Sequence, residues 1–366
     1  MYDQIRGNTL YIMLYAAVMT MALMACCYLL FRKADAIAPD VTPPARLRRW
    51  SAVFFAALAL NHVWYMPLFF LTSSDAVLLA DLIGGLLDTM SVFPLAIMVM
   101  LVMLQDRRRP LWPVIVVLLP VVLAEAWCIV TRSYAVLPVG YVCFVLVSIG
   151  LIIYMIHALR QYGRWLRDNF SDLEHKEVWQ SFVVLFIMML FFGVYAFSGK
   201  GPAFQYAMQL VCVVLIVYLV VYLVWRVETL SDLSTPVSLQ ADAPVNSLSQ
   251  SRVSNIGALL KRYCEEPQLY LQYDISVSKL ASQIGTNRAY LSKHFALQGT
   301  TYNAYINGLR IQHFIKLYHE SIASQQPITA QELAYQSGFR SYSTFSAAFK
   351  QSMGTTPTAW MRLSES

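Results

Sequence analysis

The chain of 366 residues is 58% hydrophobic and only 13% charged, with a mean hydropathy of +0.52 and a formal net charge of +6. A charged share near half the usual ~25% excludes an ordinary soluble domain, which could not hide so much apolar surface, and selects a membrane class. The charge is unevenly spread: residues 251–366 carry eleven Lys and Arg against six Asp and Glu, a net of +5. A basic soluble tail calls for a polyanion, either nucleic acid or anionic lipid.

From the N-terminus, the apolar run Leu10–Phe31 is too long for a signal peptide's hydrophobic region and no small-residue cleavage site follows it. A spanning helix needs about 20 mostly apolar residues. Seven windows meet that length: Leu10–Phe31, Trp50–Leu71, Ala76–Leu104, Leu111–Val130, Leu137–Leu159, Val178–Phe197 and Ala203–Val227. Alternate connections hold twelve Lys and Arg (Arg32, Lys33, Arg46, Arg48, Arg49; Arg107 to Arg109; Arg160, Arg164, Arg167, Lys176), while the opposite side holds three, Arg6, Arg132 and Lys200. The positive-inside rule then puts the N-terminus outside and, after seven crossings, the basic tail in the cytoplasm.

Polar side chains within spans are costly, an Asp or Lys at the centre by roughly 2.5–3.5 kcal/mol on insertion scales. His62, Asp88, Glu125 and Gln209 come from four different spans, yet each falls in the outer half of the bilayer at 1.5 Å per residue. Asn61 neighbours His62, and Asp81 lies seven residues before Asp88 on the same face. These six residues form the candidate ligand-sensing set, open to the outside and suited to a polar or cationic ligand or to protons. The alternative is plain hydrogen-bonded packing between helices. Pro67, Pro94 and Pro120 mark where these helices open.

The six cysteines, Cys26, Cys27, Cys128, Cys143, Cys212 and Cys264, show no C-x-x-C spacing and five lie in apolar segments. They read as small packing residues, with no disulfide or metal signal. No nucleophile motif or glycine-rich phosphate loop occurs, so no catalytic residue, metal or cofactor is expected and the chain does not read as an enzyme.

Residues 228–250, rich in Ser, Asp, Pro and Gln, read as a linker. A short helix follows, with Val253, Ile256, Leu259, Leu260 and Tyr263 on one face. Ser276 is placed to cap Val277–Ile284; Gly285 ends that helix, and Asn287 caps a second through Gln298. The pattern returns: Thr329 and Glu332 form a capping box, Leu333, Ala334 and Gly338 repeat the register of Leu280, Ala281 and Gly285, and Ser341 caps a helix through Met353. In each unit a small residue permits close helix approach and a glycine permits a tight turn, the spacing of a helix-turn-helix. Between them Thr301–His319 predicts a linking helix of about 28 Å, close to the ~34 Å between major-groove faces one turn apart.

The text from Ile275 to Arg362 resembles the AraC/XylS family of bacterial transcription regulators, most specifically through Gly338-Phe339-x-Ser341-x-Ser343-x-Phe345, Phe349-Lys350 and Gly354-Thr355-x-Pro357. The resemblance implies that the helices after Asn287 and Ser341 each enter a major groove. It puts Asn287, Arg288, Ser292 and Lys293 from the first unit and Arg340, Tyr342 and Ser343 from the second at DNA, with Ser341, Ser343 and Lys350 as phosphate clamps. Ala347 matches a further position at DNA but departs from some relatives, which carry a long polar residue there; with Ala289 also small, base reading would be sparse.

The sequence thus predicts an all-α chain: a seven-span bundle (1–227), a flexible linker (228–250) and a DNA-binding domain of about seven helices (251–366). The expected partners are double-stranded DNA, the lipid bilayer of a bacterial inner membrane, an unidentified small-molecule, ionic or protein signal, and a second copy in a homodimer. The competing reading is a membrane transporter or channel with a regulatory DNA-binding tail.

Overall fold

The computed structural model describes residues 9–32, 42–65, 70–174, 176–184, 186–187, 202–233, 256–325 and 328–365. Every regular element among them is helical, and the one extended contact is an isolated antiparallel bridge between Phe170 and Ser276. The fold is all-α, as predicted. Contacts divide the chain into two units: Met1–Arg160 with Val178–Leu233, and Gln161–Glu177 with Ser234–Ser366. Pro67, Val253 and most of the predicted linker 228–250 lie outside the described residues.

The first unit contains α1 (Thr9–Phe31), α2 (Ala45–Tyr65), α3 (Ser74–Met90), α4 (Val92–Met103), α5 (Trp112–Val117), α6 (Leu119–Thr131), the larger part of α7 (Leu137–Asn169) and α8 (Pro202–Thr229). Helix α1 packs on α2 and α8, α2 on α4, and α3 on α6. Among the described residues four stretches are long and apolar enough to cross a membrane: Thr9–Phe31, Ser74–Met103, Leu137–Asn169 and Gln209–Thr229. Leu119–Thr131 is apolar but shorter. Within the window Val178–Phe197 the described part is helical at 179–184 and 186–187.

Two windows that read as continuous are broken, each just before a proline. Ser91 (φ −124°, ψ −67°) separates α3 from α4, three residues ahead of Pro94. Leu118 separates α5 from α6, whose second residue is Pro120. A proline lacks the N–H for the i−4 bond and its ring collides with that carbonyl, so the helix must restart. The outward faces remain apolar: Leu146 and Ile153 are each 64% exposed on α7, Val214 62% and Val221 64% on α8, seven residues apart in both cases. That spacing makes a single stripe along each helix.

The second unit contains α9 (Ile256–Leu260), a π-helical turn (Lys261–Glu265), a 3-10 turn (Leu269–Leu271), α10 (Val277–Gln283), α11 (Arg288–Leu297), α12 (Tyr302–Ala323), α13 (Ala330–Gln336), α14 (Tyr342–Met353) and α15 (Pro357–Glu365). It has two cores. The first gathers Ile256, Leu260, Cys264, Leu280, Ala281, Leu291, Phe295 and Ile306; the second gathers Ile311, Phe314, Leu333, Ala334, Phe339, Phe345 and Phe349. Helix α12 contributes to both. At 22 residues it is about 33 Å long, longer than predicted and closer to one turn of DNA.

One predicted face is corrected. Tyr263 was expected beside Ile256 and Leu260, but it is 40% exposed and Cys264 is fully buried in its place. The π turn is the reason: Glu266 N–H bonds Lys261 O, a step of five residues, which shifts the inward position by one.

Candidate nucleic-acid interface

The two helix-turn-helix units are built alike from local capping. Ser276 Oγ accepts from Lys279 N–H at 3.3 Å and starts α10; Asn287 Oδ1 accepts from Tyr290 N–H at 2.9 Å and starts α11. In the second unit Thr329 and Glu332 form the full capping box of α13, and Ser341 Oγ accepts from Thr344 N–H at 3.3 Å to start α14. All four caps stand where the sequence put them. Ala281 and Ala334 are buried in the two helix crossings, and Gly285 (φ +70°) and Gly338 (φ +85°) take the left-handed turns.

These caps aim the N-terminal ends of α11 and α14 outward. Lys293, Arg340, Ser343 and Lys350 are exposed, whereas Asn287, Arg288, Ser292, Ser341 and Tyr342 are half-buried. Arg340 precedes the cap and stands on the turn, its guanidinium 5.8 Å from the Tyr273 ring centre. The side chains of Asn287 and Ser341 are engaged in capping, and Ser341 Oγ also lies 3.0 Å from Ser343 Oγ and from Thr344 Oγ1. Their first role is to hold helix ends at which backbone N–H groups and dipole favour a phosphate.

The segment Gln161–Glu177, read from sequence only as a basic connection between spans, belongs to this unit. Burial pulls the Arg288 guanidinium below its usual range, and the Asp168 carboxylate opposes that pull. Burial raises Asp168 above the usual carboxylate range, with Arg167, Arg164 and Arg288 acting in the other direction. Thr344 Oγ1 donates to Glu174 Oε2 at 3.4 Å. Asp168, Ser171, Glu174 and Thr344 are the residues sequence reasoning missed, since nothing local links positions more than a hundred residues apart.

The candidate sensing residues of the first unit are only partly brought together. Asn61 Nδ2 donates to Asp88 Oδ1 at 2.7 Å and to Ser91 Oγ at 3.1 Å. Thr89 Oγ1 donates to Glu125 Oε1 at 2.9 Å, so α3 carries one polar link to α2 and another to α6. Asp81 accepts from Tyr134 OH at 3.0 Å, and the His62 ring lies tilted against Tyr15 with ring centres 4.8 Å apart. Gln209 is buried, and its Nε2 makes no hydrogen bond among the described residues.

Comparison with known proteins places the similarity in the second unit. Residues 280–363 match a family model described as a helix-turn-helix domain. The TCP pilus virulence regulatory proteins of two Vibrio cholerae serotype O1 strains, classical Ogawa and El Tor Inaba, are each 32% identical over 82 residues. That stretch is 22% of this chain and 28% of each relative, so the chain spans under a third of the length of the curated relatives it matches. No solved structure matches. Motif, geometry and similarity agree on one point: the C-terminal part of this chain carries an AraC-type helix-turn-helix domain, built as two capped units.

Proposed function

We propose that this chain is a membrane-bound transcription regulator in which sensor and DNA reader share one polypeptide. The observation that carries the reading is the pair of capped helix-turn-helix units, joined by a helix of about one DNA turn, in a chain whose other unit exposes apolar stripes along α7 and α8. Arg288 and Lys293 on α11, and Arg340, Ser343 and Lys350 around α14, are the groups that meet base edges and phosphates. The regulatory role printed for the Vibrio relatives supports the same class of function.

In this reading seven spans cross a bacterial inner membrane with the N-terminus outside and the helix-turn-helix domain in the cytoplasm. The twelve-to-three distribution of basic residues supports that orientation. The Asn61, Asp88, Ser91, Thr89 and Glu125 group receives the signal, an ion or small polar molecule arriving from outside, and a homodimer on paired half-sites raises effective concentration. His62, Asp81 and Gln209 complete the proposed sensing set.

The deciding experiment is genome-wide crosslinking of the full-length protein beside the Arg288→Ala, Lys293→Ala double variant. Discrete peaks lost in the variant are expected; membrane-inserted protein without peaks under any growth condition would overturn the reading. For the sensing group, Asp88→Asn with Glu125→Gln is expected to abolish the response of a reporter placed beneath a peak. An unchanged response at normal protein levels would remove that assignment.

A further inference from the structure

The segment Gln161–Glu177 is anchored to the helix-turn-helix domain by a set of polar contacts. Phe170 pairs with Ser276 in the isolated bridge, and Ser171 Oγ donates to Ile275 O at 2.8 Å. Asn303, in the first turn of α12, donates to the carbonyls of Phe170 at 3.1 Å and Ser171 at 2.7 Å. Arg310, 1% exposed, holds Tyr270 O and Gln272 O at 2.8 Å each and reaches Ser171 Oγ at 3.4 Å. Ser171 is fully buried and Asp172 is 3% exposed. The segment is also folded on itself: Tyr162 OH donates to Lys176 O at 3.0 Å, and Trp165 packs edge-on to Phe170.

From that anchor one carboxylate bonds the second reading helix, and another bears electrostatically on the first. The Asp168 carboxylate favours the charge of Arg288, the first residue of α11. Glu174 accepts from Thr344 in the first turn of α14. Helix N-termini and the residues just inside them are where phosphates and base edges bind, and a carboxylate offers the same charge as a phosphate oxygen. We propose that Gln161–Glu177 is an intramolecular competitor of DNA: docked, its Glu174 occupies the phosphate position at the start of α14 while Asp168 offsets the charge of Arg288 on α11, and it must leave for the domain to bind fully. Because this segment joins the fifth and sixth predicted spans, the competitor is tied in sequence to the part of the chain proposed to sense.

The inference rests on the regulator reading, and its test separates the two. Full-length protein in nanodiscs is titrated with a labelled duplex taken from a crosslinking peak and with a mixed-sequence duplex at low salt. Asp168→Asn with Glu174→Gln removes charge without touching the anchor, and affinity for both duplexes is expected to rise about tenfold. Asn303→Ala, which loosens the anchor, is expected to act in the same direction. Phe170→Cys with Ser276→Cys closes a disulfide across the bridge, whose ~4.5–5.5 Å Cα separation suits one. Oxidised protein is expected to lose DNA affinity and to regain it on reduction, so each sample is its own folding control. Unchanged affinity in the charge variant, or full binding with the disulfide closed, overturns the competitor while leaving the regulator standing. Absence of DNA binding in every form overturns both.

Discussion

Single residues in the helix-turn-helix domain separate what the backbone demands from what neighbours demand. Gly285 and Gly338 hold the same left-handed turn in the two units, yet a Cβ at Gly285 would meet nothing within 4 Å, whereas at Gly338 it would fall 2.6 Å from Leu271 Cα and O. Gly285→Ala therefore costs only conformational strain, about 1–2 kcal/mol. Gly338→Ala adds an overlap with backbone that has no flexible end to move, and about 1–3 kcal/mol more. Thermal unfolding of the domain, followed by limited proteolysis in nanodiscs, is expected to rank Gly338→Ala well below Gly285→Ala; equal losses would show that Leu271 yields freely. Both glycines were legible in sequence from their four-residue offset after Ala281 and Ala334. Their inequality was not, because Leu271 lies 67 positions from Gly338. Lys293 is an exposed charge, so Lys293→Ala should weaken DNA binding about equally across sequences and reduce the slope of log affinity against log salt by about 1. A sequence-selective loss would instead make it a base-reading residue.

At the scale of elements, legibility followed the range of the forces involved. Caps are satisfied within four residues, and all four were read correctly. The breaks at Ser91 and Leu118 were signalled by Pro94 and Pro120, which the hydropathy windows smoothed over. The π turn at Lys261–Glu265 left no sequence mark, so the Tyr263 face was misread. Helix α13 offers a pH test of its capping box. Glu332 Oε2 accepts from Thr329 N–H at 3.0 Å and from Thr329 Oγ1 at 2.9 Å. Those bonds favour the ionised form and hold its carboxyl below the usual range. A depressed folded-state pKa means stabilisation present above the unfolded value and lost as pH falls through the folded one. Hydrogen-exchange protection at 330–336 is thus expected to drop on acidification in the wild type and to stay flat in Glu332→Gln. Thr329→Ala, which removes the cap itself and one of the two bonds to Glu332, should cost about 1 kcal/mol and flatten part of that pH dependence.

For the molecule as a whole, composition announced two kinds of chain in one polypeptide, and the contact division also yields two units. The assignment of Gln161–Glu177 to the second unit was invisible beforehand. Its Arg164, Arg167 and Lys176 read as an ordinary positive-inside connection, while the contacts that hold it, such as Ser171 to Ile275, span 104 positions. Basic residues here therefore bear both on the proposed orientation in a bilayer and on the second unit, and only the first is visible in a loop count. The orientation can be tested independently of DNA. Arg109 is held by Asp106, with Nη2 to Oδ2 at 2.9 Å, so Arg107 and Arg108 are the residues of that connection to neutralise without breaking a contact. Neutralising both leaves ten basic residues on the predicted inner side against three outside, still a decisive bias. Phosphatase fusions after Ser133 are expected to be active, and fusions after Arg108 or at Ser366 inactive, both in the wild type and in the Arg107→Gln, Arg108→Gln variant. An active fusion at Ser366 in the wild type would put the helix-turn-helix domain on the side without DNA, and the regulator reading would fall with the topology.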